Sequence, residues 1–193
     1  MWTTAQIIVG LFSLLLVFIG DRFSIPFLSY FGIACLGLTS ALIGWEAIFT
    51  QQMVIGRRRH GNRQTYTGLP AILQGVQFIL LGLFLVGISF MLYTRMNGRE
   101  LAMQMARHPG LPLILFGALC LMQSVITLMG SHELQEGQRW LVTMNLLISR
   151  LLPGIILVVI GFALTGLGVF ELLAPGKFDE MGGGFLEVLY GIK

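Results

Sequence analysis

The sequence predicts an all-α integral membrane protein: a bundle of about five transmembrane helices with short interfacial helices in its connections. Three observations carry that fold class. Charged residues make up only 11% of the chain and apolar residues 55%, whereas soluble domains carry roughly 25% charge. The mean hydropathy is +0.83. The apolar residues are also gathered into five long runs, over residues 5–20, 26–49, 69–94, 111–131 and 151–173. About 20 mostly apolar residues cross a hydrocarbon core of about 30 Å as a helix, and backbone groups in lipid must be bonded internally. No strand-like alternation is evident, and the runs leave no room for a separate soluble catalytic domain.

The first run, "AQIIVGLFSLLLVFIG", is the shortest and ends at Asp21-Arg22, a few residues before Pro26. It reads as one arm of a tight hairpin. "MWTT" lacks a basic n-region and "FIGDR" lacks a small-residue cleavage site, so the run is expected to be a retained helix and not a signal peptide. The third and fourth runs open with almost the same phrase, "GLPAILQG" at Gly68–Gly75 and "GLPLILFG" at Gly110–Gly117, and the fifth opens with "LLPG" around Pro153. Proline suits a first helical turn because its missing N–H would be an orphan there and its φ is already helical. The echo is therefore helix punctuation. Neighbouring helices run in opposite directions and the match fades after Gly75 and Gly117, so duplication is not needed to explain it.

Inside the runs small residues recur every seven positions: Gly37 and Gly44; Gly75, Gly82 and Ser89; Gly117, Ser124 and Ser131; Gly154, Gly161 and Gly168. A seven-residue period keeps one stripe facing a neighbouring helix. Small side chains let backbones approach where lipid supplies no hydrophobic drive. These positions are predicted to pack helix against helix, leaving Phe78, Leu81, Phe84, Phe162 and Phe170 for lipid or partners.

Two connections carry amphipathic patterns. In "NGRELAMQMARHPG", Asn97 can cap a short helix with Leu101 and Met105 on one side, stopped by Pro109-Gly110. "EGQRWLVTMNLLISR" places Trp140, Leu141, Met144, Leu147 and Ile148 toward one face, either as an interfacial helix or as the start of a longer helix kinked near Pro153. Residues 1–175 thus form the bundle. Residues 176–193 form a glycine-hinged tail in which Phe185, Leu186, Leu189 and Tyr190 are expected to dock on a partner surface, since a free aqueous tail would rarely be so apolar.

The densest charge cluster, Arg57, Arg58, Arg59 and Arg63 in "GRRRHGNR", is expected to face the cytoplasm and meet anionic lipid or a partner. The 12 Lys and Arg divide evenly between the two sides of the membrane. The density of the cluster therefore decides the orientation: N terminus inside and C terminus outside, in a membrane such as the bacterial cytoplasmic membrane. A basic run without a nucleic-acid-binding fold does not point to nucleic acid.

Chemistry is sparse. Glu46 in "GWEAIF" is the acidic residue nearest to an intramembrane position, with Glu171 at the end of the fifth run and no second buried carboxylate expected. Gln74 and Gln77 share a helical face, and with Glu46 they form a candidate polar path; Gln123 is a further polar residue inside a run. His60, His108 and His132 fall in loops or at run ends, which disfavours axial haem ligation, and Cys35 and Cys120 fall mid-run as small packing residues. HExxH, CxxC and phosphate-binding glycine loops are absent from the sequence. The expectation is a non-catalytic accessory subunit of a larger membrane complex, without cofactor or metal site, in contact with lipid and other membrane subunits. The alternative is a small homo-oligomeric transporter or channel.

Overall fold

The computed structural model describes residues 2–55, 64–94, 98–129, 147–178 and 180, and these are predominantly helical. In chain order they form α1 (Trp2–Arg22), α2 (Pro26–Thr50), β1 (Gln52–Ile55), β2 (Gln64–Thr67), α3 (Leu69–Tyr93), α4 (Gly98–Arg107), α5 (Gly110–Met129) and α6 (Leu152–Leu173). A helical turn at Pro175–Phe178 follows. Among the described residues α2, α3, α5 and α6 are long and apolar enough to cross a membrane. The chain resolves into two compact units, one of residues 1–51 with 75–102, the other of 52–74 with 103–193.

The sequence reading missed the strands. β1 and β2 pair antiparallel, Gln52 opposite Thr67 through to Ile55 opposite Gln64. Each strand has only four residues, too few for alternation to stand out beside a run of arginines. Gln51 ends α2 in the left-handed region at φ 49°, and Gly68 (φ 69°) precedes α3 in the same region. Glycine adopts that conformation freely. The segment joining the strands, with Arg57, Arg58, Arg59 and Arg63, lies outside the described residues, as do Ser131, most of "EGQRWLVTMNLLISR", and the tail residues Phe185, Leu186, Leu189 and Tyr190.

In the first unit α2 contributes two seams. Toward α3, Gly37 lies against Gly82 and Gly44 against Gly75, so a step of seven along α2 is matched by a step of seven back along α3. A Cβ on Gly37 would come 2.6 Å from the Gly82 carbonyl, and one on Gly75 would come 2.5 Å from the Gly44 carbonyl. Each glycine thus presents its Cα to the carbonyl of the other, a placement that suits weak Cα–H···O contacts of about 0.5–1 kcal/mol each. Ser40 Oγ donates to the Phe78 carbonyl (2.9 Å) and Ser89 Oγ to the Tyr30 carbonyl (2.7 Å), tying the same two helices.

Toward α1, the seam uses residues that the sequence reading passed over. Gln6, Ser13 and Gly20 are spaced by seven on α1, and Gly32, Thr39 and Glu46 by seven on α2. A Cβ on Gly32 would come 2.8 Å from the Ser13 carbonyl, and one on Gly20 would come 2.5 Å from the Ser29 amide nitrogen. Ser13 and Thr39 are buried, and each returns its hydroxyl to its own helix, to the Val9 and Cys35 carbonyls at 2.7 Å. Their polarity is thereby satisfied within the seam.

In the second unit α5 and α6 repeat the device. Gly110 lies against Gly168 and Gly117 against Gly161; a Cβ on Gly168 would come 2.6 Å from the Gly110 carbonyl, and one on Gly117 would come 2.8 Å from the Gly161 carbonyl. Ser124 is buried a further seven residues along α5, and Gly154 receives the Leu128 side chain, 2.8 Å from where its Cβ would be. The chain enters α6 through a π-helical turn at Leu147–Leu151. Pro153 stands in the first turn of α6, two residues beyond that π-helical turn. Proline there offers no N–H to the preceding turn and its ring crowds the carbonyl four residues back, which favours a widened turn.

Open glycines sharpen the contrast. Gly166 on α6 has nothing within 4 Å of a Cβ, whereas Gly168 has backbone atoms of Gly110 and Ile114 inside 3 Å. Gly168→Ala is expected to lower stability by about 1–3 kcal/mol through overpacking, while Gly166→Ala raises it by up to about 1 kcal/mol through helix propensity. Thermal unfolding of the two variants in the same detergent checks this.

Candidate functional site

Polar side chains sit at the ends of the glycine seams. On the α1–α2 seam Glu46 occupies the last seven-residue step, where its neighbour across the seam is Gln6. Gln6 Nε2 donates to Glu46 Oε2 at 2.5 Å, both residues being half-buried. One more turn along, Thr50 Oγ1 donates to the Glu46 carbonyl. The carboxylate named from sequence therefore has an interhelical partner. Trp45, next to it, is exposed and packs on Phe49 with ring centroids 5.2 Å apart.

Of the other residues of the candidate polar path, Gln77 is buried and Gln74 half-buried on α3, and both are engaged with other groups of the protein. Gln123 on α5 is half-buried, and its carbonyl accepts from Thr127 Oγ1 at 2.8 Å. Cys35 and Cys120 are free thiols at half-buried positions. His60 and His132 lie outside the described residues. No group of three or more His, Cys, Asp or Glu gathers among the described residues in a way that could hold a metal ion.

The second polar end is on the α5–α6 seam, and it corrects the expectation of no second buried carboxylate. Glu171 is more buried than Glu46. Its side chain is 4% exposed, and Oε1 lies 3.3 Å from Nδ1 of His108, whose side chain is 71% exposed. Antiparallel pairing explains the meeting. His108 lies two residues before the first residue of α5, Glu171 is in the last turn of α6, and the seam brings the head of one helix to the tail of the other.

The other carboxyl oxygen is in a different position. Glu171 Oε2 fills the place that a Cβ on Gly110 would need, so a side chain there would displace the carboxyl. That oxygen is buried and has no hydrogen-bond partner among the described residues; Thr165 Oγ1, packed against Gly117 on the same seam, is in the same state. Leaving a buried acceptor unsatisfied costs about 1–3 kcal/mol. Part of this is offset because the carboxyl lies at the N-terminal turn of α5, where the helix macrodipole favours negative charge.

The chain matches no family model, no curated protein and no solved structure. Chemically, the two seam ends offer one hydrogen-bonded carboxylate–amide pair and one carboxyl–imidazole pair that connects a buried group to an exposed one.

The α4 helix forms where the sequence places it, with Leu101 and Ala106 buried and Glu100, Gln104 and Arg107 exposed. Met105 is half-buried, and the expected cap Asn97 lies outside the described residues.

Glu46→Ala strands the Gln6 amide and is expected to lower stability by about 0.5–2 kcal/mol, the range of interhelical hydrogen bonds in membranes. Glu46→Gln keeps an acceptor oxygen and is expected to retain most of it. Thermal or denaturant unfolding of both variants in lipid nanodiscs reads the difference.

Proposed function

We propose that the chain is a non-catalytic structural or accessory subunit of a larger membrane protein complex. The observation that carries this reading is the Gln6–Glu46 hydrogen bond. A carboxylate held between two helices contributes to packing, whereas one that conducts an ion lines a water-filled passage. The seam residues point the same way: the small faces are consumed between helices of the same unit, and large side chains such as Phe18, Phe49, Phe90, Phe116 and Phe162 are exposed, where lipid or a neighbouring subunit would cover them.

In this reading α1 is a fifth crossing, its 21 residues reaching about 30 Å, and α4 lies at an interface with its polar face in water. The arginines Arg57, Arg58, Arg59 and Arg63 meet anionic headgroups on the cytoplasmic side of a bacterial inner membrane, with the N terminus inside and the C terminus outside. Phe185, Leu186, Leu189 and Tyr190 dock the tail on a partner subunit. The second reading, a homo-oligomeric transporter or channel, draws on the burial of Gln77 within an apolar helix, with Glu46 and Gln74 completing the path.

Gentle detergent extraction from native membranes through an N-terminal affinity tag, followed by native gel electrophoresis and mass spectrometry, separates the two. The accessory reading expects stoichiometric recovery with other membrane subunits, lost on deletion of residues 182–193. Recovery as a monomer or pure homo-oligomer contradicts it. Ion flux in reconstituted vesicles that Glu46→Gln abolishes would establish the second reading.

A further inference from the structure

We propose that a groove between α2 and α3, at the end of the pair where α2 begins and α3 ends, binds an acyl chain of a membrane phospholipid. The assignment requires α2 and α3 to lie in the bilayer, and it holds whether the chain is an accessory subunit or a transporter.

The groove follows from the antiparallel register of the two helices. Gly37 lies against Gly82 and Ser89 reaches the Tyr30 carbonyl, so the first turns of α2 run beside the last turns of α3. Between them the side chains enclose a space of about 230 Å³. Its floor is made by Ala34 and Val86, both half-buried, and by the buried Ser89. Large rings rise on either side. Phe27 and Phe31, one turn apart on α2, have centroids 6.3 Å apart and planes within 17° of parallel. Phe90 and Tyr93 stand on α3, and all of these rings are at least half exposed. The space runs from Phe27 to Ala34 on one helix and from Val86 to Tyr93 on the other, about 10 Å along the axes.

Lining, position and shape identify the occupant. The lining is almost wholly apolar, and the Ser89 hydroxyl is already taken up by the Tyr30 carbonyl at 2.7 Å. A trapped water needs about two to four polar partners, while apolar cavities of about 150 Å³ stay dry and take up a benzene-sized molecule. The groove therefore suits hydrocarbon. Its position agrees: Tyr93 is the last residue of α3 and Tyr30 stands near the start of α2, and tyrosine collects where headgroups meet the hydrocarbon core. From that level the groove runs inward along the helices, the direction in which acyl chains hang from their ester groups. A neighbouring helix is a poorer fit. With a diameter of about 10 Å or more, it would rest on the exposed rings and leave the floor unfilled.

Exposed apolar faces elsewhere on the helices also meet lipid, but from one side. A chain lying in the groove touches protein at the floor and along both walls, and so gains dispersion contacts that a convex helix face does not offer. That difference separates a bound lipid from the surrounding bilayer.

The test uses the full-length protein in dioleoylphosphatidylcholine vesicles containing a trace of phosphatidylcholine with a diazirine partway along one acyl chain. After photolysis, labelled residues are mapped by mass spectrometry. Leu14, Leu15 and Phe18 on α1 supply the comparison, because they are at least half exposed and Val17 beside them packs at Gly32, which sets them at the depth of the groove. Labelling per residue across 27–34 and 86–93 is expected to exceed theirs by at least about fivefold, the ratio equivalent to about 1 kcal/mol. Ala34→Phe fills the floor, and Phe31→Ala combined with Phe90→Ala removes a ring from each wall. Each is expected to bring groove labelling down to the α1 level while α1 labelling stays unchanged. Phe31 and Phe90 are exposed, so the double variant leaves the Gly37–Gly82 contact intact and serves where Ala34→Phe disturbs packing. Groove labelling no higher than that of α1 in the unmodified protein would overturn the proposal, and a second copy of the chain seated there would give that result. Labelling that persists undiminished in the double variant would overturn it too.

Discussion

Lipid gives helices no hydrophobic reason to press against each other, because the hydrocarbon is as apolar as the side chains it would release. What remains is contact, and contact is greatest where backbones approach closely. In this chain that constraint is met three times by stripes seven apart, matched between antiparallel helices: small residues in two seams, small residues ending in a polar pair in the α1–α2 seam. Gly37 and Gly44 meet Gly82 and Gly75; Gly20 and Gly32 pack the α1–α2 pair; Gly110 and Gly117 meet Gly168 and Gly161. The remaining features hang on those seams, including the large side chains displaced outward and the polar groups held at the seam ends.

The seams also account for the placement of the polar residues. A carboxyl inside an apolar helix is tolerated where it has a partner and space. Glu46 finds Gln6 because both stand on the seven-residue steps of the same seam. Glu171 finds His108 because an antiparallel seam aligns the end of α6 with the beginning of α5. Gly110, the first residue of "GLPLILFG", leaves room for the carboxyl, whereas Gly68, the first residue of the similar "GLPAILQG", has open space around it and supplies a left-handed turn instead. The two phrases share helix punctuation, yet their glycines meet different physical needs.

Much of the helical layout was legible because length and hydropathy are strong, local signals. The four helices long and apolar enough to span begin and end within about two residues of the apolar runs, as expected when boundaries are set by proline and charge. The α1–α2 seam was legible too but was missed: Ser13 and Gly20, and Gly32 and Thr39, keep the same seven-residue spacing, with Gln6 and Glu46 on its outer steps. The Glu171–His108 pair needed one further step, the antiparallel pairing of two specific helices, which composition does not supply. The short strands carried too few residues for periodicity to register against the arginine cluster.

The most direct test of the seam account leaves the sequence untouched. Solid-state NMR of the chain in lipid bilayers, with glycine carrying carbon-13, reports which glycines lie close across helices. The account predicts cross-peaks joining Gly37 to Gly82, Gly44 to Gly75, Gly110 to Gly168 and Gly117 to Gly161, with Gly87 and Gly166 showing none across a seam. Assigned spectra in which those pairs are silent, or in which Gly166 takes the place of Gly168, would contradict it.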